Sequence, residues 1–159
     1  PSDAEGIPSQ RTDLIKGGVL ENFLYDLQTA AHVKSVSTGS AARSINELPY
    51  PAPGVLILSS GDRTYQQLLN DVPEGIIVEQ VIGAGQSNVE GGDFSGNVLL
   101  GYKFEKGEVV GRVKDTMISG NVHEVFNQLL DLSKEGRWIG GYLWAPFVMT
   151  DTVSVASSD

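Results

Sequence analysis

The spacing of apolar and polar positions changes several times along this chain, and each change predicts an element. The stretch RTDLIKGGVLENFLYD (11–26) reads as two short strands around Lys16-Gly17-Gly18, where glycine supplies the positive φ of a hairpin turn. Leu27–Val33 reads as a short helix, since Thr29, Ala30 and Ala31 lack strand character. The small, polar STGSAARS (37–44) is a loop, and ELPYPAPG (47–54), with Pro49, Pro51 and Pro53, is an extended connection. Gly54–Ser59 is a continuous apolar run and predicts a buried strand. Thr64 then opens a helix as N-cap, with Gln67 in the capping-box position and Tyr65, Leu68, Leu69 and Val72 on one face, until Pro73 stops it. Gly75–Ile82 is a further strand.

From Asn97 the pattern becomes a hairpin, VLLGYKFE and EVVGRVK flanking a Lys106-Gly107 turn, with Leu100, Tyr102 and Phe104 lining one face. Residues 117–120 lead into a second well-punctuated helix. Asn121 caps it, Glu124 follows three residues on, and Val122, Val125, Phe126, Leu129 and Leu130 form an apolar stripe. WIGGYLWAPFVMTDTVSVA (138–156) adds one or two strands. Many strands and about three short helices predict an α+β fold of mainly antiparallel β-sheets, or a barrel-like sandwich, in one domain over 1–159.

Composition narrows what such a domain can do. Hydrophobic residues at 40% and charged residues at 19% describe a globular chain. There is no cysteine, so disulfides, thiolate nucleophiles and Cys-ligated zinc are excluded within this segment. A formal charge of −9 and a pI near 4.6 argue against direct nucleic-acid contact, the close basic pair being Arg112 with Lys114. No apolar run approaches the roughly 18 residues that would span a bilayer. The chain begins with proline and no secretory pattern follows, so a segment of a longer protein is expected. A cytoplasmic location is the expectation, compatible with the absence of thiols, which fits any compartment.

Candidate chemistry is sparse. His123-Glu124 invites a zinc-protease reading, but Asn127 and Gln128 stand where a second histidine would have to be. The same residues are explained by a capped amphipathic helix. A Ser-His-Asp site would need His32 or His123, and no serine sits in a G-x-S-x-G elbow. Gly83-Ala84-Gly85 lacks the third glycine and following helix of a dinucleotide loop. Glu90 and Asp93 are paired carboxylates in a glycine-rich stretch, GAGQSNVEGGDFSG (83–96), long for a turn. Two readings stay open for it: a functional or interface loop, or glycines that merely permit bulges and close packing. No catalytic residue and no metal ligand is assigned to the chain.

The string GAGQSNVEGGDFSGNVLLGYKFEKGEVVGRVKDTMISGNV, preceded in order by DAEGIPS and KGGVLENFLYDLQTAAHVKSVSTGSAAR, resembles the C-terminal domain of the TldD/PmbA family, once labelled modulators of DNA gyrase. The resemblance runs from Asp3 to Val153. It implies the closing domain of a two-part protein acting in TldD–TldE (PmbA) pairs, a zinc-dependent peptidase of peptides or unfolded chains. It further implies that the zinc belongs to a TldD-type partner, held by an HExxxH helix upstream of this region and a cysteine near the C-terminus. This chain has neither motif, and its GRWIGGYLWAP (136–146) is similar to the PmbA/TldE side. No cofactor is expected in the segment itself, which alone would be inactive. The expected partners are a TldD-like subunit, in a homo- or heterodimer, and a peptide substrate; no membrane is expected. Strand 75–82 and loop 83–96 then become candidates for a substrate cleft or subunit interface, with Gln86, Asn88, Asp93 and Ser95 as polar contacts. The opposing view gives those side chains only turn-capping roles. A regulatory module acting on a protein such as DNA gyrase is the alternative function.

Overall fold

The structure, a computed structural model, describes residues 1–157 of the chain. It divides into two compact units: Pro1–Ile57 with Trp138–Trp144, and Leu58–Arg137 with the segment from Ala145 onward. As expected, the fold is α+β with mainly antiparallel sheets and three α-helices, and among the described residues no sheet closes into a barrel.

The first unit is built from very short elements. Strands β1 (Ile15–Lys16) and β2 (Val19–Leu20) pair antiparallel around Gly17-Gly18, whose φ values of 55° and 80° are the positive ones the turn demands. Helix α1 (Leu27–His32) starts at Asp26, whose carboxylate accepts the Thr29 N–H while the Thr29 hydroxyl accepts the Asp26 N–H. Inside the expected loop, β3 (Ala41–Ala42) pairs with β4 (Tyr50–Pro51), so the proline-rich connection supplies a short strand as well. The strand expected over Gly54–Ser59 shrinks to β5 (Leu56–Ile57), and it is not buried: Ile57 is 67% exposed. Its parallel partner lies on one side only, which leaves an edge strand where the apolar run promised a covered one.

The second unit contains the long strands. Helix α2 (Tyr65–Asn70) has the predicted capping box of Thr64 and Gln67. It precedes β6 (Glu74–Ile82), β7 (Asp93–Glu105), β8 (Glu108–Arg112) and β9 (Thr116–Asn121), then helix α3 (Val122–Asn127). Strands β10 (Asp131–Ile139) and β11 (Leu143–Met149) cross both units, and β12 (Ser154–Ser157) closes the chain. The main sheet runs β12-β9-β7-β6, with β8 also on β7. Leu69 of α2, Ile77 of β6 and Phe104 of β7 form its buried core, with Tyr65, Val72 and Tyr102 packed around them.

Three expectations for this unit are revised. Strand β7 begins at Asp93 rather than near Asn97, because residues 93–97 pair with 117–121 of β9. Strand β10 was not legible in DLSKEGRWI, whose charges interrupt any alternation. The stripe of α3 is left uncovered: the helix ends at Asn127, and Val122, Phe126 and Leu130 are 41%, 53% and 52% exposed.

Candidate functional site

The segment between β6 and β7 is a chain of tight turns fastened to the start of α3. Gly83 leaves β6 at φ 87°, a short 3-10 turn covers Ala84–Gln86, and a second covers Val89–Gly91. Asn88 caps the second turn, its Oδ1 accepting the Gly91 N–H at 3.2 Å. Gly92 then adopts φ 82°, and its carbonyl accepts the Val122 N–H at 2.8 Å. A side chain here is doubly disfavoured: besides the left-handed backbone, a Cβ would lie 2.6 Å from Cδ2 of the His123 ring.

Asn121 is the tie between the two segments. Its Oδ1 accepts the N–H groups of His123 (2.9 Å) and Glu124 (3.4 Å), satisfying donors that the first helical turn leaves orphaned. Its amide nitrogen donates to the Gly91 carbonyl and to Asp93 Oδ1, both at 2.8 Å. The cap was legible in the sequence. The second role was not, because it joins residues 28 apart in the chain.

Of the four residues proposed as polar contacts, Asn88 and Asp93 converge on this node, Asn88 Oδ1 accepting the Gly91 N–H and Asp93 Oδ1 accepting from Asn121. Ser95 stands on β7 rather than in a loop, its hydroxyl 3.7 Å from Met117 Sδ on β9. Gln86 is exposed, and its side chain makes no hydrogen bond among the described residues. The turn-capping account therefore holds for Asn88, while Gln86 is left facing solvent on a braced backbone.

The strand order leaves β6 at one end of the main sheet, so among the described residues its outer side has no strand partner. Sequence reasoning missed a polar and aromatic group in the same unit: Arg137 pairs with Glu79 of β6 and lies 5.5 Å over the Phe147 ring, which stacks at 4.4 Å on Tyr65. Burial, with the Glu79 charge, pushes the Tyr65 phenol above its ordinary value. Among the described residues no three His, Cys, Asp or Glu side chains come together to hold a metal ion. Among the described residues the donors present do not fit a zinc site.

The profile of a family described as the PmbA/TldA metallopeptidase C-terminal domain matches residues 1–157. An uncharacterised protein of Methanocaldococcus jannaschii is 34% identical over 140 residues, covering 86% of this chain and 32% of that protein. A metalloprotease TldD homologue of Haemophilus influenzae is 28% identical over 171 residues, covering 99% and 35%. Among solved structures, TldE from Thermococcus kodakarensis superposes with a TM-score of 0.88 at 26% identity, over 98% of this chain and 36% of that one. A Thermotoga maritima protein, described as a candidate modulator of a DNA gyrase, gives 0.83 at 28% identity, over 98% and 35%. The chain thus spans about a third of the length of the relatives it matches.

Proposed function

The chain belongs to the PmbA/TldD metallopeptidase family, whose C-terminal domain it matches, and on that footing we propose that it is the scaffold and substrate-cleft domain of a PmbA/TldE-like subunit. In this reading 1–159 act as one domain of a cytoplasmic assembly, and zinc and catalysis come from a TldD-like partner. The reading rests on one observation: turns 83–92 are braced by Asn121 beside a sheet-end strand, β6, which has one strand neighbour among the described residues. An extended peptide can add to such an edge through main-chain hydrogen bonds, with sequence-tolerant affinity. Gln86, Asn88, Asp93 and Ser95 are the side chains proposed to meet it. The missing metal-binding group among the described residues and the WIGGYLWAP stretch support the TldE-like assignment.

The test is cleavage of unfolded peptides by the full-length protein mixed with a TldD-type subunit and zinc. Activity of the pair, absent from either subunit alone, is the expected outcome. Asn121→Ala is expected to lower it, chiefly through KM, by unfastening the turns. A pair that stays inactive overturns the reading. The label carried by the Thermotoga maritima structure favours a second reading, a regulatory module for a partner such as DNA gyrase. Saturable gyrase binding by an inactive pair would select it.

A further inference from the structure

A concavity of about 650 Å³ lies in the second unit, away from the braced turns, between the β8–β9 corner and the end of β12. Its apolar lining comes from Ile76, Val110, Val113 and Val155, and Val110 and Val155 are 55% and 49% exposed. Its charged lining is Glu74 with Lys103, Arg112 and Lys114, a net positive set although the chain carries a formal −9. Lys103 is compensated, 2.7 Å from Glu105 and 3.5 Å from Glu74. Arg112 and Lys114 have no carboxylate partner among the described residues, and Arg112 is oriented by a 3.0 Å hydrogen bond from Nη2 to the Leu99 carbonyl. Among the described residues strand β8 pairs with β7 alone, so its other edge has no strand partner there.

From these features we infer that the concavity is a docking site for the C-terminal end of an extended polypeptide with apolar last residues. Charge complementarity selects a carboxylate: Glu74 is paired with Lys103, which leaves Arg112 and Lys114, without a carboxylate partner among the described residues, to attract an anion. Position selects the terminal carboxylate over one within a chain. Arg112 is the last residue of β8 and Lys114 follows it, so a strand added parallel to β8 reaches the cations as it runs past the edge. The exposed Val109 and Val110 lie one step earlier, where apolar side chains of that strand would be covered. The inference goes beyond the proposed cleft and needs neither zinc nor a second subunit.

Fluorescence anisotropy of a labelled peptide, Gly-Ser-Gly-Val-Ile-Leu with a free carboxylate, beside the same peptide as its amide, tests it directly. The acid is expected to bind about tenfold more tightly than the amide, and to lose affinity as salt rises. Combined R112Q and K114Q is expected to erase the difference between acid and amide. V110D is expected to weaken both peptides. K106Q, which removes a cation outside the concavity, is expected to change neither, and melting curves check that each variant folds. Equal binding of acid and amide, no binding of the acid at millimolar concentration, or an equal loss from K106Q overturns the inference.

Discussion

The two units of this chain are held together by different chemistry. In the first, the buried positions within 1–57 are Ala30, Gly39, Ala41 and the carboxylate-bearing Asp26, and the longest strands there have two residues. Its order comes from side chains that gather backbone donors. Asp3 accepts the N–H groups of Glu5, Ile7 and Ala41 at 3.0, 2.9 and 3.0 Å, and Asp26 does the same for Thr29 at 2.7 Å. In the second, Leu69, Ile77 and Phe104 make an apolar core beneath strands of nine and thirteen residues. Where the chain can bury large apolar groups it builds long strands. Where it cannot, two carboxylates organise loops that would otherwise be unsatisfied.

This contrast can be broken most severely at Phe104. Removing a ring that is 6% exposed leaves a cavity, and Phe104→Ala is expected to cost about 3–5 kcal/mol in denaturant unfolding. Amide-exchange protection should fall across β6 and β7. A loss below about 1 kcal/mol would mean that the sheet does not depend on its core.

A smaller effect is expected at the hairpin tip that links sheet and helix. Gly107 has φ 82°, its carbonyl accepts from Gln66 of α2 at 2.8 Å, and a Cβ would run into the Asn70 amide. Gly107→Ala is expected to cost about 1–3 kcal/mol, measured in the same way, through strain and displacement of α2. Lys106→Asn, at φ 51°, should be neutral or slightly stabilising, since asparagine tolerates that conformation better.

The gentlest probe is acid, and it should reach the first unit before the second. Hydrogen bonds from the Thr29 hydroxyl and N–H hold the Asp26 carboxyl below its ordinary value of 3.8. At Asp3, burial pushes upward, but the N–H groups of Ala41, Ile7 and Glu5 outweigh it and the carboxyl is again held low. A carboxyl whose folded value is depressed contributes fully above its unfolded value, and that contribution is lost as pH falls through the folded one. Protection of amides in α1 and the Asp3 loop should therefore hold at pH 5 and fall below 3.8. Asp26→Asn keeps a good cap and should flatten the α1 response. Asp71 of the second unit is also lowered, by its hydrogen bond with Arg63, but both side chains are more than a third exposed and solvent screening keeps the pair's contribution small. If the core strands lose protection first, the contrast between the units is wrong.

What could be read in advance follows the range of the interactions. The Thr64–Gln67 box, the Asn121 cap and the two glycine hairpins close within a few residues, so residue type and spacing specify them directly. Asp26 and Thr29 close over the same distance, and an aspartate three residues before a threonine was a signal that could have been used. The candidate site was legible only in outline. Its glycine-rich segment stood out, yet Asp93 and Ser95 turned out to be strand residues, because their partners lie in β9.

The sequence by itself determined the α+β class, the capped helices, the acidity and, through ordered motifs along nearly the whole chain, the family. Tertiary structure decided where β7 begins, that β10 exists, that Asn121 fastens the turns, and that the apolar faces of β5 and α3 stay exposed. The physical reason is the same in each case. A cap or turn is satisfied by neighbours in sequence, whereas a strand partner, or the layer that would cover an apolar stripe, comes from distant chain that local pattern does not encode.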